Sequence, residues 1–193
     1  MNKTTKAFAL LFTAGLVLAG CGQKQDSTAT TQAKVETTTA APTTAAPTTA
    51  TPTTVAQAKT EMPAGAQKTV FEASAKGGAE TMTVYYKDDA ILKQETVEVY
   101  TLSQLEVENA LEKLQNNATR TKEALKDFIG KGFEYNTEHK GDIFTITYSF
   151  DYTKIDLDKL KEKIPGLNLR DDKTLSYSEF KEALLKGGYK EKQ

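Results

Sequence analysis

The stretch DIFTITYSFDY, residues 142–152, decides the fold class. Phe144, Ile146, Tyr148, Phe150 and Tyr152 alternate with Thr145, Thr147, Ser149 and Asp151. A period of two puts one set on each side of an extended strand, whereas a helix would scatter both sets around its circumference. The spacing therefore predicts a strand with an apolar and a polar face. Gly141-Asp142 before it reads as a hairpin turn and Phe133–Lys140 as the partner strand.

Working outward, Thr69–Ala75, Glu80–Lys87 and Ala90–Tyr100 read as three more strands. Turns at Gly77-Gly78 and Asp88-Asp89 separate them. Ser103, with Glu106 three residues on, reads as the capping box of a helix that carries Val107, Leu111, Leu114, Ala118, Leu125 and Phe128 on one face. Gly130 and Gly132 would stop it. Ile155–Lys163 reads as a short helix ended by Pro165-Gly166. Ser176–Lys186 reads as the last helix, with Ser176 and Glu179 as its capping box and Gly187-Gly188 as its stop. The order β-β-β-α-β-β-α-α implies an α+β domain from about Lys68 to Gln193, an antiparallel sheet with helices on one face.

Ahead of this domain the chain changes character. Between Gly22 and Gln67 no apolar period is present, and TTTAAPTTAAPTTATPTT repeats around Pro42, Pro47 and Pro52. Such a segment buries too little apolar surface to offset its ordering entropy and is expected to act as a disordered linker. At about 3.1 Å per residue it would reach roughly 130 Å fully extended.

The first twenty residues read as a targeting segment. Lys3 and Lys6 precede the uncharged run Ala7–Gly20, AFALLFTAGLVLAG. Fourteen residues fall short of the roughly twenty that span a bilayer and suit a signal peptide. The run closes on Leu18-Ala19-Gly20-Cys21, which resembles the lipobox of bacterial lipoproteins. That resemblance implies recognition of Leu18, Ala19 and Gly20 by signal peptidase II, cleavage before Cys21, and a diacylglyceryl group on its thiol. The segments are then 1–20 signal peptide, 21–67 lipidated N-terminus and linker, and 68–193 domain. The expected partner is membrane lipid through acylated Cys21, and the expected location is extracytoplasmic, the outer face of the cytoplasmic membrane in a Gram-positive cell. Two acyl chains, at about 0.8 kcal/mol per buried methylene, anchor durably without a polybasic patch.

Composition narrows the chemistry. Lys+Arg is 25 and Asp+Glu 26, a net charge of −1 that argues against nucleic acid as a partner. One cysteine and one histidine supply neither a disulfide framework nor a multi-histidine metal site. His139, at a strand end, reads as a surface residue. NLRDDKTLSYSEF places Glu179 twelfth after Asn168 as first, as in an EF-hand loop. Arg170 and Lys173 stand where such a loop needs a ligand and a glycine, so no metal is expected. The Phe144, Tyr148, Tyr152 face is expected to pack under the helices rather than stack sugars.

The string EYNTEHKGDIFTITYSFDYTKIDLDKL, the following PG, SYSEFKEALLKGGYKE and the hairpin TMTVYYKDDAILKQETVEVY resemble the YehR-type lipoproteins, domain of unknown function 1307. The resemblance covers Lys68 to Gln193. It implies a small α+β domain outside the cytoplasm with no established activity, and hence no catalytic residues and no cofactor to carry over. A non-enzymatic, lipid-anchored envelope domain with a binding or a structural role is the leading expectation, and the sequence does not identify a protein or wall-polymer partner. The alternative is an extracytoplasmic enzyme acting on cell-wall glycan through carboxylates, which a clustered acidic pair in a deep pocket would favour.

Overall fold

The computed structural model describes residues 61–192. Cys21, with Leu18, Ala19, Gly20 and the linker up to residue 60, lies outside the described residues, while Gln67, given to the linker from sequence, is the first residue of the first strand. Six strands form one antiparallel sheet: β1 (Gln67–Ala75), β2 (Gly78–Lys87), β3 (Ala90–Thr101), β4 (Phe133–Lys140), β5 (Ile143–Asp151) and β6 (Lys190–Glu191), in the order β4-β5-β3-β2-β1-β6. The helices are α1 (Ala110–Ala124), α2 (Leu157–Lys163) and α3 (Tyr177–Lys186). This is the expected α+β class with one additional edge strand. β6 is short and pairs Glu191 with Phe71, which closes part of the β1 edge.

The register decides which residues meet. Glu98 lies opposite Glu80 on one side and Ile146 on the other, and Tyr100 lies opposite Phe144. Phe133 and Tyr135 of β4 face Phe150 and Tyr148. Phe71, Met82, Val84, Phe144, Ile146 and Phe150 on this face share one core with Leu114, Leu160, Phe180 and Leu184 of the helices. The even-numbered residues of β5 therefore point to the core as their period requires. Phe144 is buried there, and Tyr148 and Tyr152 pack against the core as half-buried residues. The opposite face is less open than alternation suggests, since Thr83 and Thr145 are also buried.

Two turns show the backbone chemistry. Asp88 and Asp89 both take positive φ, 48° and 65°, so the β2–β3 hairpin is closed by two left-handed residues, a conformation that Asp tolerates. Gly77 has φ +74°, and a Cβ there would lie 2.9 Å from the Gln104 carbonyl carbon and the Leu105 nitrogen. Only glycine fits that approach.

The helix expected from Ser103 begins later. Leu102–Gln104 is a 3-10 turn, and α1 starts at Ala110 after a left-handed Asn109 that makes no side-chain cap. The capping box does not form, because Ser103 N and Oγ donate to the Asp142 carboxylate and Glu106 pairs with Lys76. Leu125 and Phe128 are buried as expected, but they lie in and beside a second 3-10 turn, Lys126–Phe128. The helix expected from Ile155 starts at Leu157, with Asp156 accepting from Lys159 N as its cap.

The last helix keeps its cap. Ser176 Oγ accepts from Glu179 N at 3.2 Å, while the Glu179 carboxylate takes the Asn168 amide instead of closing the box. Asp89 adds a second lock, since Ser178 N donates to its Oδ1 at 2.7 Å and Ser176 Oγ to its Oδ2 at 3.1 Å. Arg170 pairs with the same carboxylate. Asp89→Ala is expected to cost about 1–3 kcal/mol, the range for an unmade cap and its stranded donors. Asp89→Asn, which keeps an acceptor and tolerates positive φ, should cost less than half as much by urea denaturation. Equal losses would show that charge rather than capping holds the joint.

Candidate functional site

The inner face of β3 runs against its own sequence. Gln94, Thr96 and Glu98 are in phase with Tyr100, so the register buries three polar side chains in the centre of the sheet, while Val97 and Val99 turn to the other face. Glu80 on β2 is in phase with Met82 and Val84 and is buried with them. Glu80 and Glu98 are direct cross-strand partners, which sets their Cα atoms about 5 Å apart. Glu80 is 6% and Glu98 4% exposed.

Tyrosines supply their hydrogen bonds. Tyr189 OH donates to Glu80 Oε2 at 2.6 Å, and Tyr100 OH to Glu98 Oε2 at 2.8 Å. Tyr148 also hydrogen-bonds Glu98. Tyr189 reaches the pair because the chain turns back at Gly188, φ +93°, just beyond α3. Glu80 Oε1 has no partner although it is buried.

Burial penalises ionisation of both acids. Loss of solvent is the largest effect on Glu80, the Tyr189 hydrogen bond partly offsets it and the neighbouring Glu98 adds to it, and its carboxyl is pushed up to about 7. Burial also raises Glu98 above the ordinary carboxylate range against the opposing hydrogen bonds from Tyr100 and Tyr148. The nearby phenols of Tyr100, Tyr135 and Tyr189 are raised by burial first and then by the two glutamates or by one of them. Two carboxyl groups this close in a dry site resist a second ionisation. Their titration belongs to the pair.

Glu98 also forms part of a cavity wall. Between α1 and the sheet lies a space of about 50 Å³, bounded by Leu114, Ala118 and Thr121 of α1 and by Ile146, Tyr148 and Phe150 of β5. A smaller space of about 10 Å³ adjoins Glu80 and Tyr100. The other face of the sheet shows a contrasting arrangement. There Glu95 Oε1 lies 2.7 Å from Lys93 Nζ, and Tyr85 OH donates to Glu95 Oε2 at 3.1 Å. That glutamate has a cation beside it. Among the described residues, no ion pair includes Glu80 or Glu98.

The residues singled out from sequence do not gather here. His139 is exposed, with Nε2 2.9 Å from the Gly141 carbonyl oxygen. Asp89 caps α3. Asp172 bonds Thr174 within its own turn at 2.6 Å to Oγ1, and Arg170 and Lys173 pair with Asp89 and Asp158. Glu80 and Glu98 were not among the expected site residues. The signal for Glu80 is its phase with Met82 and Val84. Glu98 carries no such signal, because in QETVEVY the apolar residues lie on the other phase.

A family model described as a protein of unknown function, DUF1307, matches residues 67–190. The chain belongs to the DUF1307 family. Its match begins at the first residue of β1 and ends at the first residue of β6, so it covers all of β1 to β5. The NMR structure of YehR from E. coli is similar, with a TM-score of 0.51 and 20% identity over 67% of this chain and 93% of that one. This likeness shows a shared fold. An NMR structure of a Streptococcus pneumoniae TIGR4 protein matches with a TM-score of 0.44 and 18% identity, over 79% of this chain and all of that one, 100%. No curated protein matches the chain. Among the described residues, no helix is long and apolar enough to cross a membrane.

Proposed function

We propose that the chain is a bacterial cell-envelope lipoprotein, anchored outside the cytoplasm through acylated Cys21, that presents a non-catalytic binding domain. The observation that carries this reading is Leu18-Ala19-Gly20-Cys21 closing an uncharged run, with the only cysteine of the chain in the acceptor position. The family match supports the layout, because it starts at residue 67, where the Thr/Pro-rich stretch has ended. Metabolic labelling with an alkyne fatty acid in a bacterial host is expected to mark the wild-type chain and to sediment it with membranes. Cys21→Ala should lose both. Labelling that persists in the variant would place the anchor elsewhere. Limited proteolysis should trim the chain to a stable fragment beginning near Lys68. Survival of the intact Thr/Pro stretch would contradict the linker assignment.

The glycan-hydrolase alternative has one observation in its favour, the Glu80–Glu98 pair. A glycosidase, however, sets two carboxyl groups on either side of a sugar that enters between them. Here they are neighbours on one sheet face under a helix. The adjoining space is bounded by Glu98 and not by Glu80, so the two carboxyl groups do not flank one cleft. Release of reducing sugar from purified wall glycan by the mature chain, abolished in Glu98→Gln, would favour the enzyme.

A further inference from the structure

We propose that the open edge of β4 pairs with β4 of a second copy of this chain, antiparallel about a two-fold axis at Thr137, so that the two sheets join into one. This goes beyond the lipoprotein reading and does not rest on the Cys21 anchor. The two edges of the sheet differ. On the β1 side, β6 pairs with Phe71 and Glu72, and Lys192 N donates to the Val70 carbonyl oxygen at 2.8 Å. On the β4 side, no strand of the described residues follows. The start of β4 is covered by the chain's own turn, where Gly130 N donates to the Phe133 carbonyl oxygen at 3.1 Å. From Asn136 to Lys140 every residue is exposed, and β4 runs against β5 without a bulge. A regular, exposed edge of this kind is a template for another strand.

Backbone phase and charge order select the partner. Asp151 N donates to the Gly132 carbonyl oxygen at 2.6 Å, so the even-numbered residues of β4 exchange bonds with β5. Tyr135, Thr137 and His139 then direct their N–H and C=O groups outward. A second β4 centred on Thr137 sets Tyr135 opposite His139, Asn136 opposite Glu138 and Glu134 opposite Lys140, each twice by symmetry. The last two are non-hydrogen-bonded pairs, whose side chains approach more closely. Charges on an edge ordinarily keep other strands away. In this register they attract, because an acid meets a lysine and an amide meets an acid. Sliding the partner by two residues one way opposes Glu134 to Glu138, and the other way opposes Glu138 to itself. Both neighbouring registers therefore place like charges together. Lys140 pairs with Glu138 of its own chain, but it is 78% exposed and can take Glu134 of the second copy as well. An axis normal to the sheet keeps the helices of both copies on one side of it.

The test uses the chain from residue 21, with Cys21→Ser to keep it in solution. Sedimentation equilibrium is expected to show a reversible rise from the mass of one chain to that of two as concentration increases. Thr137→Pro removes the central outward N–H, which β5 does not use, so the edge strand tolerates it while association weakens about tenfold or more. Glu134→Lys and Lys140→Glu each oppose like charges twice and should singly weaken association about tenfold. Combined in one chain they restore unlike pairs and should return association to that of the wild type. Both side chains are exposed, so these variants keep the fold, which urea midpoints check. In a mixture of labelled and unlabelled chains, a cross-peak between the α-protons of Asn136 and of Glu138 in the other copy reports the register. A single-chain mass at every concentration would overturn the second copy as occupant. Undiminished association in Thr137→Pro, or a double variant as weak as the single ones, would overturn the pairing. The fatty-acid labelling result is independent of every one of these outcomes.

Discussion

Ile146→Ala should lower the unfolding free energy by about 2–5 kcal/mol, a large share of the roughly 5–15 kcal/mol that holds a domain folded. Ile146 is 5% exposed on β5 and sits between Glu98 of β3 and Thr137 of β4. It also borders the cavity under α1, so its loss enlarges an existing space that the rigid sheet cannot close. Thr147, one residue along, points to the other face and is half-buried. Thr147→Ala should cost well under half as much. Urea midpoints of the two variants compare them directly. Equal small shifts would mean that Ile146 is not part of the core, and reversed shifts would mean that the sheet faces the other way.

Glu80→Gln should change how stability depends on pH. The Glu80 carboxyl is pushed from 4.5 up to about 7, chiefly by burial and further by Glu98, against the Tyr189 hydrogen bond. The folded state therefore holds a proton that the unfolded chain releases above about pH 4.5. Its stabilising effect is complete below that value and is lost as pH rises toward 7. The loss amounts to about 3 kcal/mol for this residue, on the order of 1.36 kcal/mol per pH unit. The groups around Glu80 are Glu98, Tyr189, Tyr100 and Tyr148; the tyrosines stay protonated over this range, their phenols being raised by burial. Glutamine keeps an acceptor for Tyr189 and carries no charge. The variant should thus match the wild type near pH 4.5 and exceed it at pH 7.5. Parallel stability profiles from urea denaturation across this range would contradict a protonated Glu80.

The fold was legible wherever one face of an element was apolar and the other polar. β5 is the clearest case, and the α3 cap at Ser176 follows from its local sequence alone. The error at Ser103 has a physical cause: the capping signature is local, but Asp142, thirty-nine residues away, competes for the same serine and wins. The glutamate pair was hidden for a related reason. In β3 the better apolar phase belongs to Val97 and Val99, yet pairing with both β2 and β5 commits the opposite phase to the core. Local preference and global register disagree at Glu98, the kind of conflict that marks functional positions. Cys21 is the reverse case: its flanking residues carry a strong local signal, and it lies outside the described residues.

The most direct test of the buried pair is a carbon-13 titration of the glutamate side-chain carboxyl groups in the chain from residue 21 with Cys21→Ser. Glu80 should titrate near 7 and Glu98 above the ordinary carboxylate range, with the two curves coupled and the coupling removed by Glu98→Gln. Two independent curves in the ordinary range, about 4.3 for glutamate, would show that the carboxyl groups are solvated and that no buried pair exists.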